Sequence, residues 1–410
     1  MTPILRWWGP KGALERFVSD LLSAEARSLG ASTPAPPWSA KARLDESGLG
    51  LDSLDRIALA AALSGAIHLH RGGDENLLTH DTVGAWCRTA RRSLDSFSAA
   101  VTFRSSGSSG EPRGTAHALE ALLEEVDALA ALLPGRRRVL TAVPSHHIFG
   151  FLFTQLLPAR LGVPVKDLRG HSPGALARMA RPGDLVIGHP LFWAAAVRAA
   201  PRDWPADVVG VTSGAPIPAA TATAAGTAGL SRLVDVYGAT ETAGIGWRDA
   251  PDAAYRLLPH WRRVGDALCR GGAAPVAPPD LLRWEEDDTF HVLGRRDTVV
   301  QVGGVNVSAA HVRAVLLTHP GVADAVVRLM RQGEGDRLKA FVVPSAQGGA
   351  ERTLRDELAR LVAARLAPAE RPRNFAFGAV LPTGPSGKAA DWSIPRPALM
   401  QEGGWLQAAT

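Results

Sequence analysis

The chain has 410 residues, of which 46% are hydrophobic and 21% charged, a composition that excludes a disordered protein and, at this length, implies two or three domains. The formal net charge is +5, but no run of five or six like charges occurs, which argues against a nucleic-acid-binding surface. The longest apolar runs, around Ile57 to Ile67 and Ile148 to Leu157, are well short of the about 18 residues of a membrane span, and the opening MTPILRWWGPKG lacks the apolar stretch of a signal peptide. Cys87 and Cys269 stand alone, without CxxC spacing or a histidine cluster, so no zinc site or disulfide framework is expected and a reducing cytoplasm fits. Of 45 basic residues only Lys11, Lys41, Lys166, Lys339 and Lys388 are lysines, which gives weight to any lysine at a chemically telling place.

Residues 12–30 alternate apolar and charged positions at helical spacing, and the Pro-rich stretch 32–40 breaks the pattern. Asp52 and Ser53 are good capping types directly before Leu54, Ile57, Leu59 and Leu63 and predict a second helix; a third is predicted at Thr82 to Leu94. Residues 1–96 therefore read as a small all-helical domain. From residue 97, strand-like runs such as Ala99 to Phe103 alternate with helical stretches such as Ala118 to Leu133, which predicts an α/β domain with parallel strands over 97–296. Residues 297–410 read as a smaller α+β domain, with strand runs near Val322 to Val327 and Lys339 to Val343 and a helix at Leu354 to Leu366.

The strongest local signal is Ser105-Ser106-Gly107-Ser108-Ser109-Gly110-Glu111-Pro112-Arg113, between a predicted strand and a predicted helix. Glycines and hydroxyls in such a loop can surround a polyphosphate with N–H and O–H donors, and Arg113 adds a cation. The Walker spacing GxxxxGK[ST] is absent, and taken alone the segment could equally be a flexible linker. The loop resembles the phosphate loop of the acyl-adenylate-forming superfamily, which includes acyl- and aryl-CoA ligases, luciferases and the adenylation domains of peptide synthetases. Ser109 stands where that loop has threonine, and Arg113 where it has lysine; Arg113 keeps the charge as a planar fork.

Further segments resemble the same superfamily in the same order. Val143-Pro144-Ser145-His146-His147-Ile148-Phe149-Gly150 is similar to its acyl-pocket segment, with His147 aligned on the residue that approaches the reacting carboxylate and His146, Phe149 and Gly150 implied as pocket residues. Ser213-Gly214-Ala215-Pro216 resembles the turn that lies against adenine. Tyr237-Gly238-Ala239-Thr240-Glu241 places one of only two tyrosines where the superfamily stacks a ring on adenine; the resemblance implies that Thr240 contacts the α-phosphate and that Glu241 holds Mg²⁺. Asp280 matches the ribose-binding carboxylate, although the usual TGD or SGD is here Pro278-Pro279-Asp280, and Arg295 follows at the family spacing. Asp297 matches the hinge of a mobile C-terminal domain, and Val302-Gly303-Gly304-Val305-Asn306-Val307 resembles the loop bordering the thiol's tunnel. In Pro382-Thr383-Gly384-Pro385-Ser386-Gly387-Lys388, Lys388 looks like the catalytic lysine, an ammonium that would stabilise charge developing on the carboxylate and α-phosphate oxygens.

The stretch before the phosphate loop is shorter than is usual in this superfamily. Leu49-Gly50-Leu51-Asp52-Ser53-Leu54-Asp55 resembles the attachment site of acyl carrier proteins, with Ser53 at the phosphopantetheine position, and His80-Asp81-Thr82-Val83-Gly84-Ala85-Trp86 is similar to the start of a carrier's last helix. Three readings stay open for this region: a functional carrier, a degenerate helical domain in which Ser53 only caps a helix, and a diverged remnant of the ligase's own N-terminal helices. The resemblance as a whole implies the adenylate-forming fold, a large α/β domain plus a small mobile α+β C-terminal domain, preceded by the carrier-like helical domain. It implies a carboxylate:thiol ligase using ATP, Mg²⁺ and a CoA or phosphopantetheine thiol, with a small carboxylic acid and CoA or an acyl carrier protein as partners. No aspartate is placed to bind an α-amino group, and Phe149, Phe151 and Phe153 suggest a planar acid such as a hydroxybenzoate. The alternative is a truncated, non-catalytic module that binds nucleotide or acyl groups.

Overall fold

The computed structural model describes residues 5–73, 76–105, 113–199, 204–271, 273–286, 288–296, 299–302, 305–331, 334–335, 337–346, 348–382 and 391–394. The chain forms two compact units, one of residues 1–278 with 284–290 and one of residues 279–283 with 291–410.

In the first unit, strands Val165–Asp167, Arg138–Thr141, Asp184–Ile187, Val209–Thr212 and Arg232–Ala239 lie side by side in that order, all parallel. The middle three are short and almost wholly buried, as strands covered on both faces must be. Beyond Arg232–Ala239 the sheet turns antiparallel through Ala243–Arg248 and Tyr255–Leu257, to which Thr289 and Phe290 add. The expectation of parallel strands therefore holds for half of the sheet; tight turns replace helical crossovers in the other half, which permits antiparallel pairing.

The segment expected to run from phosphate loop directly into helix has a different structure. Ala100–Ser105 and Arg113–Ala118 pair antiparallel from Ala100↔Ala118 to Ser105↔Arg113, a two-stranded sheet of its own. Gly114 to Ala118 alternate exposed and half-buried positions, the period of a strand, and the helix starts only at Leu119, where Leu119, Leu122, Val126 and Leu129 begin a buried stripe. Arg113 thus begins the return strand of a hairpin.

Helices Ala13–Ser28, Ser53–Ile67 and Val83–Ser96 do not form a separate domain ending near residue 96. They belong to the first unit, and the first helix is built into its core. Phe151 lies 4.9 Å from Trp7, 5.6 Å from Phe17 and 5.2 Å from Phe103, ring centroid to centroid, and is fully buried. The second helix is capped by Asp52, not Ser53: Asp52 accepts from Asp55 N while Asp55 accepts from Asp52 N. Ser53 is the exposed first residue of that helix, and Leu54 and Ile57 of the anticipated apolar stripe are 73% and 51% exposed.

The second unit pairs Val322–Leu329 antiparallel with Leu338–Pro344, which pairs parallel with Asn374–Phe377. Helices Ala309–Leu316 and Glu351–Arg365 supply Val312, Leu316, Leu354, Leu358 and Val362 to its core. Lys339 is fully buried on the middle strand, its Nζ donating to Glu334 Oε2 and to Trp392 O at 2.6 Å each. Among the described residues no helix is long and apolar enough to cross a membrane.

Candidate active site

In a parallel sheet every strand delivers its carboxyl end to the same edge, and ligands of such sheets bind in the crevice there. Thr141, Thr212 and Ala239 end three of the five parallel strands. The chain then enters the segments holding His146 and His147, Ser213 to Pro216, and Thr240 with Glu241. Three of the sequence-predicted segments, separated by tens of residues, therefore share one edge. A fourth strand ends there at Ile187 and is followed by exposed His189, whose Nδ1 accepts from Phe192 N at 3.2 Å; motif reading missed it, although its strand-end position was a usable signal.

The histidine segment is held from below by the N-terminal helix. Buried Asp20 accepts from Ser145 N and Ser145 Oγ, both at 2.7 Å, and its other oxygen accepts from Arg169 Nη1 at 2.6 Å. Arg169 also bridges to Asp167 at the end of the edge strand. Arg16, on the same helix, donates to Thr154 O at 2.8 Å, a carbonyl inside the one-turn π-helix Leu152–Leu156, where displaced backbone groups need outside partners. Gly150 leaves no room for a side chain, since a Cβ would stand 1.8 Å from Pro144 O. Its place in the segment is thus fixed by backbone packing.

His146 and His147 have ring centroids 4.0 Å apart. Burial, then the neighbouring imidazole and Arg27 and Arg169, push His146 down to about 3, and desolvation of the ring also lowers His147, although the residue as a whole is exposed. Both rings are neutral at pH 7. Phe149 is half-buried and 5.1 Å from Phe153, whereas Phe151 and Phe153 are fully buried and belong to the core, so of the three phenylalanines only Phe149 is left as a candidate to meet substrate.

Thr240 and Glu241 occupy a tight turn between antiparallel strands, Ala239 pairing with Ala243 and Gly238 with Gly244. His117, on the return strand of the phosphate-loop hairpin, donates from Nε2 to Thr240 O at 2.7 Å; a carbonyl only accepts, so that nitrogen carries the proton. This bond joins the stem of the glycine–serine hairpin to the tyrosine–glutamate turn. Tyr237 is half-buried, with its ring 5.6 Å from Tyr255 and 5.7 Å from Phe290. Gly214, at φ 89, allows the turn that follows buried Ser213 and exposes Gly214, Ala215 and Pro216.

Behind the turn lies fully buried Glu125, whose Oε1 accepts from Gly244 N at 2.9 Å, with His260 Nε2 and Arg270 Nη1 at 3.8 and 4.0 Å from Oε2. Burial pushes the Glu125 carboxyl up to about 8 and His260 down to about 3, so at pH 7 a neutral acid faces a neutral imidazole. No motif points to Asp20, His117 or Glu125. A buried-polar pattern cannot be read where the residue sits on an ordinary amphipathic helix or a short strand.

Ser106, Gly107, Ser108, Ser109, Gly110, Asp297, Gly303, Gly304 and Lys388 lie outside the described residues, and for Ser105, Arg113 and Arg295 only the backbone is described. Asp280 begins strand Asp280–Trp284 and is half-buried; its carbonyl accepts from Arg296 Nε at 3.3 Å. Glu241 is exposed, and among the described residues no group of three or more metal-ligating side chains exists. The exposed carboxylate of Glu241 suits Mg²⁺, which is held through one or two carboxylates plus substrate phosphates and water.

The AMP-binding enzyme family matches residues 46–267, and the AMP-binding enzyme C-terminal domain matches residues 311–388. A 4-coumarate–CoA ligase from Cereibacter sphaeroides is 42% identical over 377 residues, spanning 90% of this chain and 89% of that protein. The chain belongs to the AMP-binding enzyme family. It is an AMP-forming acid–thiol ligase, and the non-catalytic alternative gives way. A 4-coumarate–CoA ligase from Rhodobacter capsulatus is 41% identical over 392 residues, covering 92% of this chain and all of that one. Among solved structures, an anthranilate CoA ligase, AuaEII, in complex with anthranoyl-AMP shares the fold with a TM-score of 0.57 at 16% identity, over 92% of this chain and 90% of that one. The adenylate-forming fold, with its large and small parts, is thereby established for the AMP-binding enzyme described here. The family match begins before Ser53, so the helix that Ser53 opens falls within the ligase. This supports the third reading of the N-terminal region, in which its helices are the ligase's own.

Proposed function

We propose that this AMP-binding enzyme activates a hydroxylated aromatic acid as its aryl-AMP and transfers the aryl group to CoA. Both relatives are named 4-coumarate–CoA ligases, and half-buried Phe149 beside the paired histidines suits a planar acid. The observation that carries the reading is the 2.7 Å bond from His117 to Thr240 O, which brings together the two segments assigned to the triphosphate.

In the first step a carboxylate oxygen of the acid attacks the α-phosphorus of ATP, and pyrophosphate leaves with the electron pair of the broken P–O bond. Mg²⁺, when bound at Glu241, offsets charge on the triphosphate and the leaving pyrophosphate. Ser105 to Gly110 and Arg113 cradle the phosphates, Thr240 contacts the α-phosphate, and Lys388 stabilises the developing charge. Tyr237, Gly238 and the Gly214-Ala215-Pro216 turn border the adenine, and Asp280 and Arg295 hold the ribose. His147, neutral because burial lowers it, orients the carboxylate without neutralising it; His146, Phe149 and Gly150 lie along the same segment. In the second step the thiol sulfur attacks the acyl carbon, AMP departs, and the thiol proton is lost to solvent. Cys87 and Cys269 are free and buried, which suits a reducing cytoplasm.

Acid-dependent ATP–pyrophosphate exchange and CoA thioester formation, measured with 4-coumarate, 4-hydroxybenzoate and hexanoate, test the reading. Aromatic acids are expected to exceed hexanoate, and the reverse order overturns the substrate class. A pantetheine on a carrier protein would react by the same chemistry; intact mass after incubation with CoA and a phosphopantetheinyl transferase asks whether Ser53 becomes modified.

A further inference from the structure

Helix Leu119–Leu132 follows the phosphate-loop hairpin directly and carries Glu125, a carboxyl group with no exposed surface. Carboxyls are rarely buried so completely unless they are paired. Among the described residues Glu125 Oε2 has no hydrogen-bond partner, and neither do the two buried ring nitrogens of His260. Among the described residues the carboxyl accepts one hydrogen bond, from Gly244 N. Gly244 is gripped from its other side too, Trp261 Nε1 donating to Gly244 O at 2.7 Å. A Cβ on Gly244 would stand 2.4 Å from Glu125 Oε1, so only glycine lets the carboxyl reach that N–H. The preceding residue, Ala243, has a left-handed backbone at φ 59, a conformation a residue with a side chain keeps only where its surroundings impose it. The turn bearing Thr240 and Glu241 is thus held at one end by His117 on Thr240 O and at the other by Glu125 and Trp261 on Gly244.

We propose that Glu125 is a positioning residue for adenylation, acting through Gly244 to set the turn that presents Thr240 and Glu241 to MgATP. The proposal rests on the roles assigned above to Thr240 and Glu241. Glu125 reaches no substrate itself. It couples the helix behind the phosphate loop to the opposite side of the nucleotide site, so both phosphate-binding segments share one rigid support.

The test uses the full chain and two half-reactions: pyrophosphate exchange with 4-coumarate as a function of Mg²⁺, and CoA thioester formation from added coumaroyl-AMP. Calorimetric binding of a non-hydrolysable ATP analogue with Mg²⁺ gives a readout independent of turnover. Glu125→Leu keeps the volume and loses the acceptor; its exchange rate is expected to fall at least ~10-fold, as sub-ångström misplacement of catalytic groups does. The Mg²⁺ requirement should rise and analogue binding weaken, while transfer from coumaroyl-AMP stays within about twofold. Glu125→Gln, which keeps the acceptor oxygen, is expected to restore exchange to within about threefold of wild type. Trp261→Phe, which releases Gly244 O, should show the same selective pattern more weakly and decides the matter if Glu125→Leu does not fold. Equal losses in both half-reactions, or a folded Glu125→Leu protein with unchanged exchange and Mg²⁺ dependence, overturn the proposal. Glu241→Gln is the control: if it leaves exchange intact, the role given to Glu241 fails, whereas an impaired Glu241→Gln beside an unimpaired Glu125→Leu refutes the coupling alone.

Discussion

Asp20→Ala tests whether the N-terminal helix is structurally part of the acyl site. The Asp20 carboxylate accepts two bonds from Ser145, both at 2.7 Å, and one from Arg169 at 2.6 Å. Truncation leaves the fully buried Ser145 with an unsatisfied N–H and O–H, at ~1–3 kcal/mol for each group. Arg169 keeps Asp167 as a partner, so the full penalty for an unpaired buried cation does not apply. The expected loss is therefore about 2–6 kcal/mol from the two Ser145 groups, a large share of the ~5–15 kcal/mol by which folded proteins are stable. Urea unfolding of the first unit should show a lower midpoint at unchanged slope, and KM for the acid should rise because Ser145 adjoins His146 and His147. A double-mutant cycle with Ser145→Ala should give a coupling of more than about 1 kcal/mol. A loss below about 1 kcal/mol with additive single effects would refute the reasoning and return the N-terminal helices to a detachable role.

Three further outcomes follow from the site. Lys388→Ala is expected to reduce acid-dependent pyrophosphate exchange by at least ~10²-fold, the usual cost of losing a transition-state charge partner, while circular dichroism stays that of wild type; exchange at the wild-type rate would remove Lys388 from the mechanism. Glu125→Gln should change the pH dependence of stability. The folded pKa of Glu125, about 8 against an ordinary 4.5, means that the folded state retains a proton the unfolded state has lost, so wild type loses stability as pH rises between those values. Relative to wild type the Gln variant should therefore gain melting temperature from pH 5 to pH 8, by the equivalent of a few kcal/mol, and a flat difference would show the carboxyl to be ionised throughout. Gly150→Ala drives a Cβ into Pro144 O; as an overpacking change against backbone it should cost ~1–3 kcal/mol or more and displace the histidine segment, read as a raised KM for the acid. An unaltered KM and melting temperature would contradict that packing.

The enzyme family and fold class were legible in the sequence because the resemblance rests on short contiguous segments in a fixed order: the glycine–serine run, Tyr237 to Glu241, and the segment ending at Lys388. Such motifs survive in one dimension. The helices at residues 13–28, 83–96 and 351–365 were legible for a similar reason, their apolar period being local. Only the tertiary structure decided how the first helix is packed. A capped helix such as the one Ser53 opens reads alike in many folds, whereas the burial of Trp7 and Phe17 against Phe151 and the reach of Asp20 to Ser145 are contacts across more than a hundred residues. The strand after the phosphate loop was likewise hidden, since Gly114 to Ala118 become a strand only by pairing with Ala100 to Arg104. Glu125 and His117 owe their positions to the same cause: a side chain on an ordinary helix or strand acquires a role only when folding brings a distant backbone group, Gly244 N or Thr240 O, within hydrogen-bonding distance.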